Sequence, residues 1–398
     1  MTTFLQLHLL TSYPPACLNR DDLNRPKTAV MGGVPRLRVS SQSLKRAWRI
    51  SDTFHEKVSD QMGIRSKELG RRMRDALLNG VALADLLKPG TLQAEPDGKV
   101  SDENATKWAW MIAGEFVDKK SKDGEEETEG EEPEGKSKKK VKKSNVSKET
   151  LKSEQIVFYS QKEIEVLGTL IQSLRESGKA PTSEQLRVIK VKEAQSTADL
   201  ALFGRMLASS PDFNVEAACQ VAHAITVHRA AVEDDFFTAV DDLNTREVDA
   251  GSAHMGEQGF GAGLFYSYVC IDCDLLKENL GGDTKLTGEA IKALVEAAAT
   301  VAPTGKQNSF ASRAWAPYVL AEKGSRQPRG LSLAFMKPVN EYGEGMIANA
   351  VTALDTMRTN LDKVYYQGNS LSSESINALT GTGDFKALLN FAAGTGGA

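Results

Sequence analysis

Cysteine is scarce in this chain: four residues in 398, at Cys17, Cys219, Cys270 and Cys273. So few, so irregularly placed, exclude a secreted disulfide framework and fit a reducing compartment. Long apolar runs are missing too. No stretch approaches the roughly 20 residues of a membrane-spanning helix, and Met1 to Leu10 lacks the charged start, apolar core and small-residue cleavage site of a signal peptide. The expected location is cytoplasmic, away from membranes. Absent as well are G-x-S-x-G, a Walker loop and a dinucleotide fingerprint; Gly259-x-Gly261-x-Gly263 precedes an expected strand, where the fingerprint must follow one. Cys270-Ile271-Asp272-Cys273 has C-x-x-C spacing but no second pair for a four-ligand zinc site. His223 and His228 are five apart, on different faces of a helix, unlike the pair of a zinc protease, so both read as structural. No metal, no cofactor and no catalytic group is expected.

A basic surplus is also lacking, since 49 Lys and Arg stand against 53 Asp and Glu for a net charge of −4. That average would argue against a nucleic-acid partner, because phosphate binding rests on Lys and Arg. It hides a local field. From Asn19 to Arg49, eight basic residues (Arg20, Arg25, Lys27, Arg36, Arg38, Lys45, Arg46, Arg49) face two acidic ones (Asp21, Asp22), so these 31 residues carry +6 and the rest −10.

What is present reads as an α+β chain without internal repeats. Phe4 to Leu10 alternates as a strand with Leu5, Leu7 and Leu9 on its buried face. Thr11 to Val34 reads as a long ordered loop punctuated by Pro14-Pro15, Pro26 and Gly32-Gly33. A helix follows, capped by Ser40 or Ser41, with Leu44, Ala47 and Trp48 as its apolar stripe. Arg65 to Val117 is helical in pattern, with Leu77, Leu78, Leu83 and Leu86 in the core, and helical spacing resumes from Ser153 to His228. Between them, 118–152 holds a Glu-rich run (Glu125 to Glu134) and a Lys-rich run (Lys136 to Lys143) with almost nothing apolar, the composition of a disordered insertion with a solvated charge run. Gly259 to Asp272 has strand period two, a further strand is expected near Tyr318 to Ala321, and helices are expected over Gly288 to Val301 and Tyr342 to Leu361.

The strongest candidate site runs from Arg36 to Arg49. Gln42, Lys45 and Arg49 lie at i, i+3 and i+7, on one helical face turned away from Leu44 and Trp48. The helix start adds unpaired N–H groups and a positive dipole end, which suit a phosphate. The acidic pairs Asp21/Asp22, Asp234/Asp235 and Asp241/Asp242 have the chemistry to hold Mg²⁺ for phosphodiester cleavage, although adjacent carboxylates in loops more often form turns or pair with Arg.

Two stretches, Leu9-Leu10-Thr11-Ser12-Tyr13-Pro14-Pro15-Ala16-Cys17-Leu18-Asn19-Arg20-Asp21-Asp22 and Gly32 to Arg46, closely resemble the CasC family, the backbone subunits of type I-E Cascade. The likeness continues in Leu202 to Met206, Ala222 to Thr226, Phe237 to Leu243 and Gly251 to Gly256, and spans most of the chain; 118–152 departs from the family pattern. The resemblance implies a modified RNA-recognition-motif (ferredoxin-like) palm over 1–60 and 257–398, an inserted helical fingers region over 61–225 and a thumb β-hairpin over 226–256. It further implies a non-catalytic subunit whose copies line up along one CRISPR RNA, beside other Cascade subunits, leaving the bases free to pair with target DNA. The positions it points toward RNA are Asn19, Arg20, Lys27, Ser40, Gln42, Ser43, Lys45, Arg46 and Arg49, with Met206 as an apolar residue near a displaced nucleotide. No aromatic-rich Lys/Arg-Gly-Phe-x-Phe string is present, so the expected mode is backbone tracking and apolar wedging, not stacking on the sheet. A metal-dependent RNA-cleaving subunit, using Asp21, Asp22, Asp241 or Asp242, and an unrelated single-copy scaffold are the alternatives.

Overall fold

The computed structural model describes residues 2–58, 61–88, 90–91, 95–116, 151–189, 197–207, 210–239 and 254–394. Of the charged segment 118–152, therefore, only Leu151 and Lys152 are described, and 240–253 of the expected thumb lie outside the described residues. In chain order the elements are β1 (Phe4–Ala16), β2 (Thr28–Met31), β3 (Val34–Val39), α1 (Ser41–Arg49), α2 (Asp52–Val58), β4 (Ile64–Ser66), α3 (Leu69–Asn79), α4 (Leu83–Leu86) and α5 (Asp102–Ala113). There follow β5 (Val157–Tyr159), α6 (Gln161–Ser177), α7 (Ser183–Val188), α8 (Ala198–Phe203), β6 (Cys219–Val221), β7 (Ala224–Thr226), β8 (Glu233–Ala239) and β9 (His254–Asp272). The chain ends with α9 (Cys273–Asn279), α10 (Thr284–Thr300), α11 (Gln307–Phe310), β10 (Tyr318–Gly324), α12 (Met346–Tyr366), β11 (Ser372–Asn377) and α13 (Phe385–Ala393). Two compact units result: Met1–Met62 with Ala201–Phe203 and Ala217–Ala398, and Gly63–Leu200 with Gly204–Glu216.

The first unit is mixed α+β on an antiparallel sheet in the order β11-β10-β1-β9-β7-β3-β2, with β6 and β8 also paired to β9. β1 lies between β10 and β9, Leu7 opposite both Ala321 and Val269. Leu5, Leu7 and Leu9 are buried as their alternation requires, and α10 packs against β1. The other face is closed too. Gln6, His8 and Leu10 are also buried, and Leu10, Tyr266, Leu320, Phe335 and Leu354 of α12 share one apolar cluster. A polar network sits in this layer: His8 Nδ1 lies 2.9 Å from the Tyr266 hydroxyl, His8 Nε2 lies 3.2 Å from Glu322, and Arg329 donates to both Glu322 oxygens and to Asp362.

Thr11 to Val34 is not the loop expected. β1 continues to Ala16 because Pro14 and Pro15, which have no N–H to give a ladder, fall where the β1–β9 register shifts between Tyr13 and Ala16. β2 and β3 then form a hairpin with Met31 opposite Val34. Its two-residue turn needs positive φ at both positions, and Gly32 (62°) and Gly33 (76°) supply it. Ser153 to His228 is likewise not continuously helical, since β5, β6 and β7 interrupt it. Three-residue strands are too short to show a period; they exist because β4 and β9 offer partners.

The second unit packs α3, α4, α5 and α6 around Met73, Leu77, Leu83, Leu86, Trp108, Ile112, Leu167 and Leu174. Leu77, Leu78, Leu83 and Leu86 are core residues, as the pattern requires, and so is Leu151. Ser160 caps α6 in a capping box, its Oγ accepting from Glu163 N and the Glu163 carboxylate accepting from Ser160 N.

Candidate nucleic-acid interface

The basic stretch is folded back on itself by its own backbone. Lys27 N donates to Asn19 O and Arg38 N to Lys27 O, both at 2.8 Å, while Asn19 Oδ1 accepts from Ser40 N at 2.9 Å. Asp21 Oδ1 accepts from Leu23 N and Arg25 N, the turn-forming role of an Asp, and Arg20 reaches Asn24 Oδ1 at 3.3 Å. Asn19, Arg20, Lys27 and Ser40, distant in sequence, are thereby brought to one place in the first unit. Asn19 and Ser40 use part of their hydrogen-bonding capacity to build it.

Ser40 is the N-cap of α1, its Oγ accepting from Ser43 N at 3.3 Å. The helix start is thus not wholly open: Ser43 N–H is taken, whereas Ser41 and Gln42 N–H have no protein acceptor among the described residues. No acidic residue occupies the first turn, so the positive dipole end is uncompensated. Leu44, Ala47 and Trp48 are buried and Gln42 and Arg46 exposed, making the most open ridge Gln42/Arg46, one step round from the Gln42, Lys45, Arg49 face that spacing singles out. Lys45 leans inward, its Nζ donating to Cys219 O at 3.4 Å and lying 5.5 Å from the Phe203 ring centroid. Burial pushes the Cys219 thiol up to about 12 against the pull of that charge. Arg49 is half-buried and already engaged.

Not every cation of the stretch faces outward. Arg36 is fully buried and donates to the carbonyls of Thr226 (3.1 Å), Phe335 (2.7 Å) and Met31 (3.4 Å), which offset the cost of burying its charge. Arg25 pairs with Asp234 at 2.8 Å on an exposed surface. Other groups join from elsewhere. Arg38 Nη1 lies 2.7 Å from His223 Nδ1. Lys306 and Arg20 both pull the Cys17 thiol down against the burial that raises it, so Lys306 belongs to the same neighbourhood. Gly305 allows this, since a Cβ there would meet Leu18 O at 2.2 Å. Only the fold joins His223 and Lys306 to the stretch; no sequence spacing marks them.

His223 and His228 lie on the β6–β7 turn and just after β7, not on a helix. His228 is held in the fold, accepting from Leu264 N at Nε2 (3.1 Å), with Nδ1 2.8 Å from Arg229 O. Among the described residues no three His, Cys, Asp or Glu gather where a metal could sit. Asp21 is in its turn, Asp22 is exposed, and Asp241 and Asp242 lie outside the described residues. No helix of the described residues is long and apolar enough to cross a membrane.

Met206 belongs to the second unit and is 83% exposed. Its neighbour Arg205 holds it there. The Arg205 guanidinium grips Glu163 with two bonds (2.8 and 2.9 Å) and donates to Phe158 O and Phe213 O, while its backbone pairs with Val215 in both directions. Fixing the backbone on both sides leaves the Met206 side chain outward. That role for Arg205 escapes sequence reading, because its acidic partner is 42 residues away.

A chain of a solved structure described as "CRISPR RNA-guided surveillance complex, pre-nicking" is 28% identical, covering 97% of this chain and 95% of its own, with a TM-score of 0.69. Another, of a "CRISPR RNA-guided surveillance complex", is 24% identical over 97% of this chain and 92% of its own at a TM-score of 0.54, a likeness of fold alone. No curated protein matches. A family model described as CT1975-like protein matches residues 5–390, from the central strand β1 into the last helix. The match runs over nearly the whole length, and the chain belongs to the CT1975-like protein family.

Proposed function

We propose that this protein is a non-catalytic, RNA-binding backbone subunit of a Cascade-type CRISPR surveillance complex, of type I-E and the CasC kind. The observation that carries this reading is the convergence of Arg20, Lys27 and Arg38 with the open N-terminus of α1, whose last turn adds the exposed Arg46, in a chain whose net charge is −4. Its 28% identity over 97% of its length to a surveillance-complex chain supports the same reading. In it the first unit acts as a palm of the RNA-recognition-motif kind over 1–60 and 257–398, and 61–225 acts as fingers. The thumb over 226–256 takes in β8 and the start of β9, where Phe237 lies opposite Gly256. Several cytoplasmic copies follow one CRISPR RNA beside other Cascade subunits. Asn19, Arg20, Lys27, Ser40, Gln42, Ser43, Lys45, Arg46 and Arg49 face its backbone and Met206 wedges a base, and the guide pairs with target DNA.

The test is the salt dependence of binding to unstructured single-stranded RNA. Arg20 and Arg46 are exposed and carry no ion pair among the described residues, so Arg20→Ala with Arg46→Ala should leave the fold intact. Each phosphate contact on a single strand contributes about 0.7 to the slope of log affinity against log salt, so the double variant should flatten it by roughly 1.4 per subunit, for every sequence alike. An unchanged slope overturns the interface. Cleavage of complementary RNA by the wild type with Mg²⁺ overturns the non-catalytic role.

A further inference from the structure

His223, which meets Arg38, lies outside the residues so far assigned to RNA. β3 pairs with β7 at Arg38↔Ile225 and Val39↔Ala224, and His223 immediately precedes β7. A guanidinium has only donors, so a 2.7 Å contact from Arg38 Nη1 requires His223 Nδ1 to offer a lone pair and places the ring proton on Nε2. The ring is therefore neutral while the contact stands. Arg38 is also held by its backbone N–H on Lys27 O and by its Nε at 3.5 Å from Thr28 O. The charges that act on His223 from the elements around it are Arg38 of β3 and Lys27 of the loop before β2, and among the described residues no carboxylate joins them. Burial first, and then those two cations, hold its pKa below the usual histidine value. Lys27 has no acidic partner among the described residues. Two cations and a protonatable ring thus converge with no acidic group among the described residues to neutralise them, an arrangement that an anion would relieve.

We propose that Lys27, Arg38 and His223 form one anion site at the β3–β7 edge that seats a single RNA backbone phosphate, and that the phosphate draws a proton from solvent onto His223 Nδ1. The inference rests on the RNA-binding reading and deepens it. A phosphodiester brings one negative charge and oxygen acceptors. Once it is seated, its charge offsets one of the two cations and its oxygens accept from the ring, so the protonated form, a donor at both nitrogens, is favoured relative to the free protein. A protonated Nδ1 can no longer accept from Arg38, so the guanidinium is freed to turn to the phosphate. Protonation of His223 and delivery of Arg38 are then the same event, with His223 positioning Arg38 in the free protein and contacting phosphate in the complex.

The linkage has a definite sign. The bound pKa exceeds the free one, so affinity is highest below both, falls as pH rises between them, and levels off above the bound value. Each pKa unit separating the two states makes about a tenfold difference in affinity between the plateaus. Titration calorimetry of the full chain with unstructured single-stranded RNA at constant salt, in buffers of different protonation enthalpy, reads the protons taken up directly. Wild type should take up protons in the range about pH 6 to 7, where a histidine titrates. His223→Gln should lose the uptake and bind at the weak plateau at every pH. His223→Lys, with a fixed charge, should also lose the uptake but bind at the strong plateau. Sulfate, an oxyanion that does not titrate in this range, in place of RNA at equal ionic strength should produce no uptake. RNA binding without uptake by wild type, or uptake retained by folded His223→Gln, overturns the site and leaves the RNA-binding reading standing. Uptake with sulfate alone overturns the assignment to RNA backbone. No RNA binding at any pH overturns both.

Discussion

Replacing Arg205 with alanine should loosen the second unit well beyond the effect of losing a surface charge. The Arg205 and Glu163 side chains are 6% and 7% exposed, and the guanidinium meets both carboxylate oxygens and two backbone carbonyls. Alanine leaves that carboxylate enclosed without its cation and the carbonyls of Phe158 and Phe213 without this donor. Breaking a buried pair from one side costs about 3–5 kcal/mol. Glu163 keeps one bond, from Ser160 N at 2.7 Å, which places the cost toward the lower figure. A domain is stable by only about 5–15 kcal/mol, so the fraction lost is large. Because the chain has two compact units, a single melting transition would mix them, and hydrogen exchange resolved by segment is the suitable assay. At about 1.4 kcal/mol per tenfold, exchange in α6 and in the Arg205/Val215 pairing should accelerate by about two orders of magnitude, while β1 and β9 keep their protection. Glu163→Gln, which removes the buried charge with little change of shape, should cost less than Arg205→Ala. Protection in α6 of Arg205→Ala within about twofold of wild type, the effect of an ordinary surface change, would refute the reasoning.

Gly32→Ala and Gly33→Ala separate backbone strain from collision. Both have positive φ, which costs roughly 1–2 kcal/mol in a residue with a Cβ, but only at Gly32 would that Cβ lie 1.7 Å from Met336 O. Gly32→Ala should therefore destabilise the first unit clearly more than Gly33→Ala in denaturant titration; equal effects would mean the hairpin moves freely from Met336. The His8 network predicts acid sensitivity. Burial lowers the His8 pKa, outweighing the pull of Glu322, so its contribution is complete above about pH 6.5 and is lost as pH falls from there toward the folded value. Burial alone would raise the Glu322 carboxyl, but hydrogen bonds and charge from His8 and Arg329 hold it at about 2, so its contribution is lost between about pH 4.5 and pH 2. His8→Gln should reduce the slope of stability against pH between about 6.5 and 5 and shorten the lower arm without abolishing it, since Glu322 loses the His8 charge but keeps Arg329. An unchanged slope in the upper window would assign it to another group.

How much of this was legible follows from how local each determinant is. Helix α1 could be read because its cap, Ser40, and its stripe, Leu44, Ala47 and Trp48, lie within nine residues of one another. Its outward ridge could not be placed to better than one step, because Cys219 and Phe203 decide where Lys45 goes. In β1 the alternation reveals Leu5, Leu7 and Leu9 but not the burial of Gln6 and His8, which depends on Tyr268 and Glu322 far along the chain. Arg36 and Arg38 make the same point most sharply. They are two apart on a strand and so share a face, and charge counting treats them alike. Yet Arg36 meets the carbonyls of Thr226 and Phe335 and is turned into the structure, whereas Arg38 meets His223 and stays with the cations. A local surplus of charge therefore locates the neighbourhood of a phosphate site, and the carbonyls, carboxylates and imidazoles brought by distant strands decide which of its cations remain to meet the phosphate.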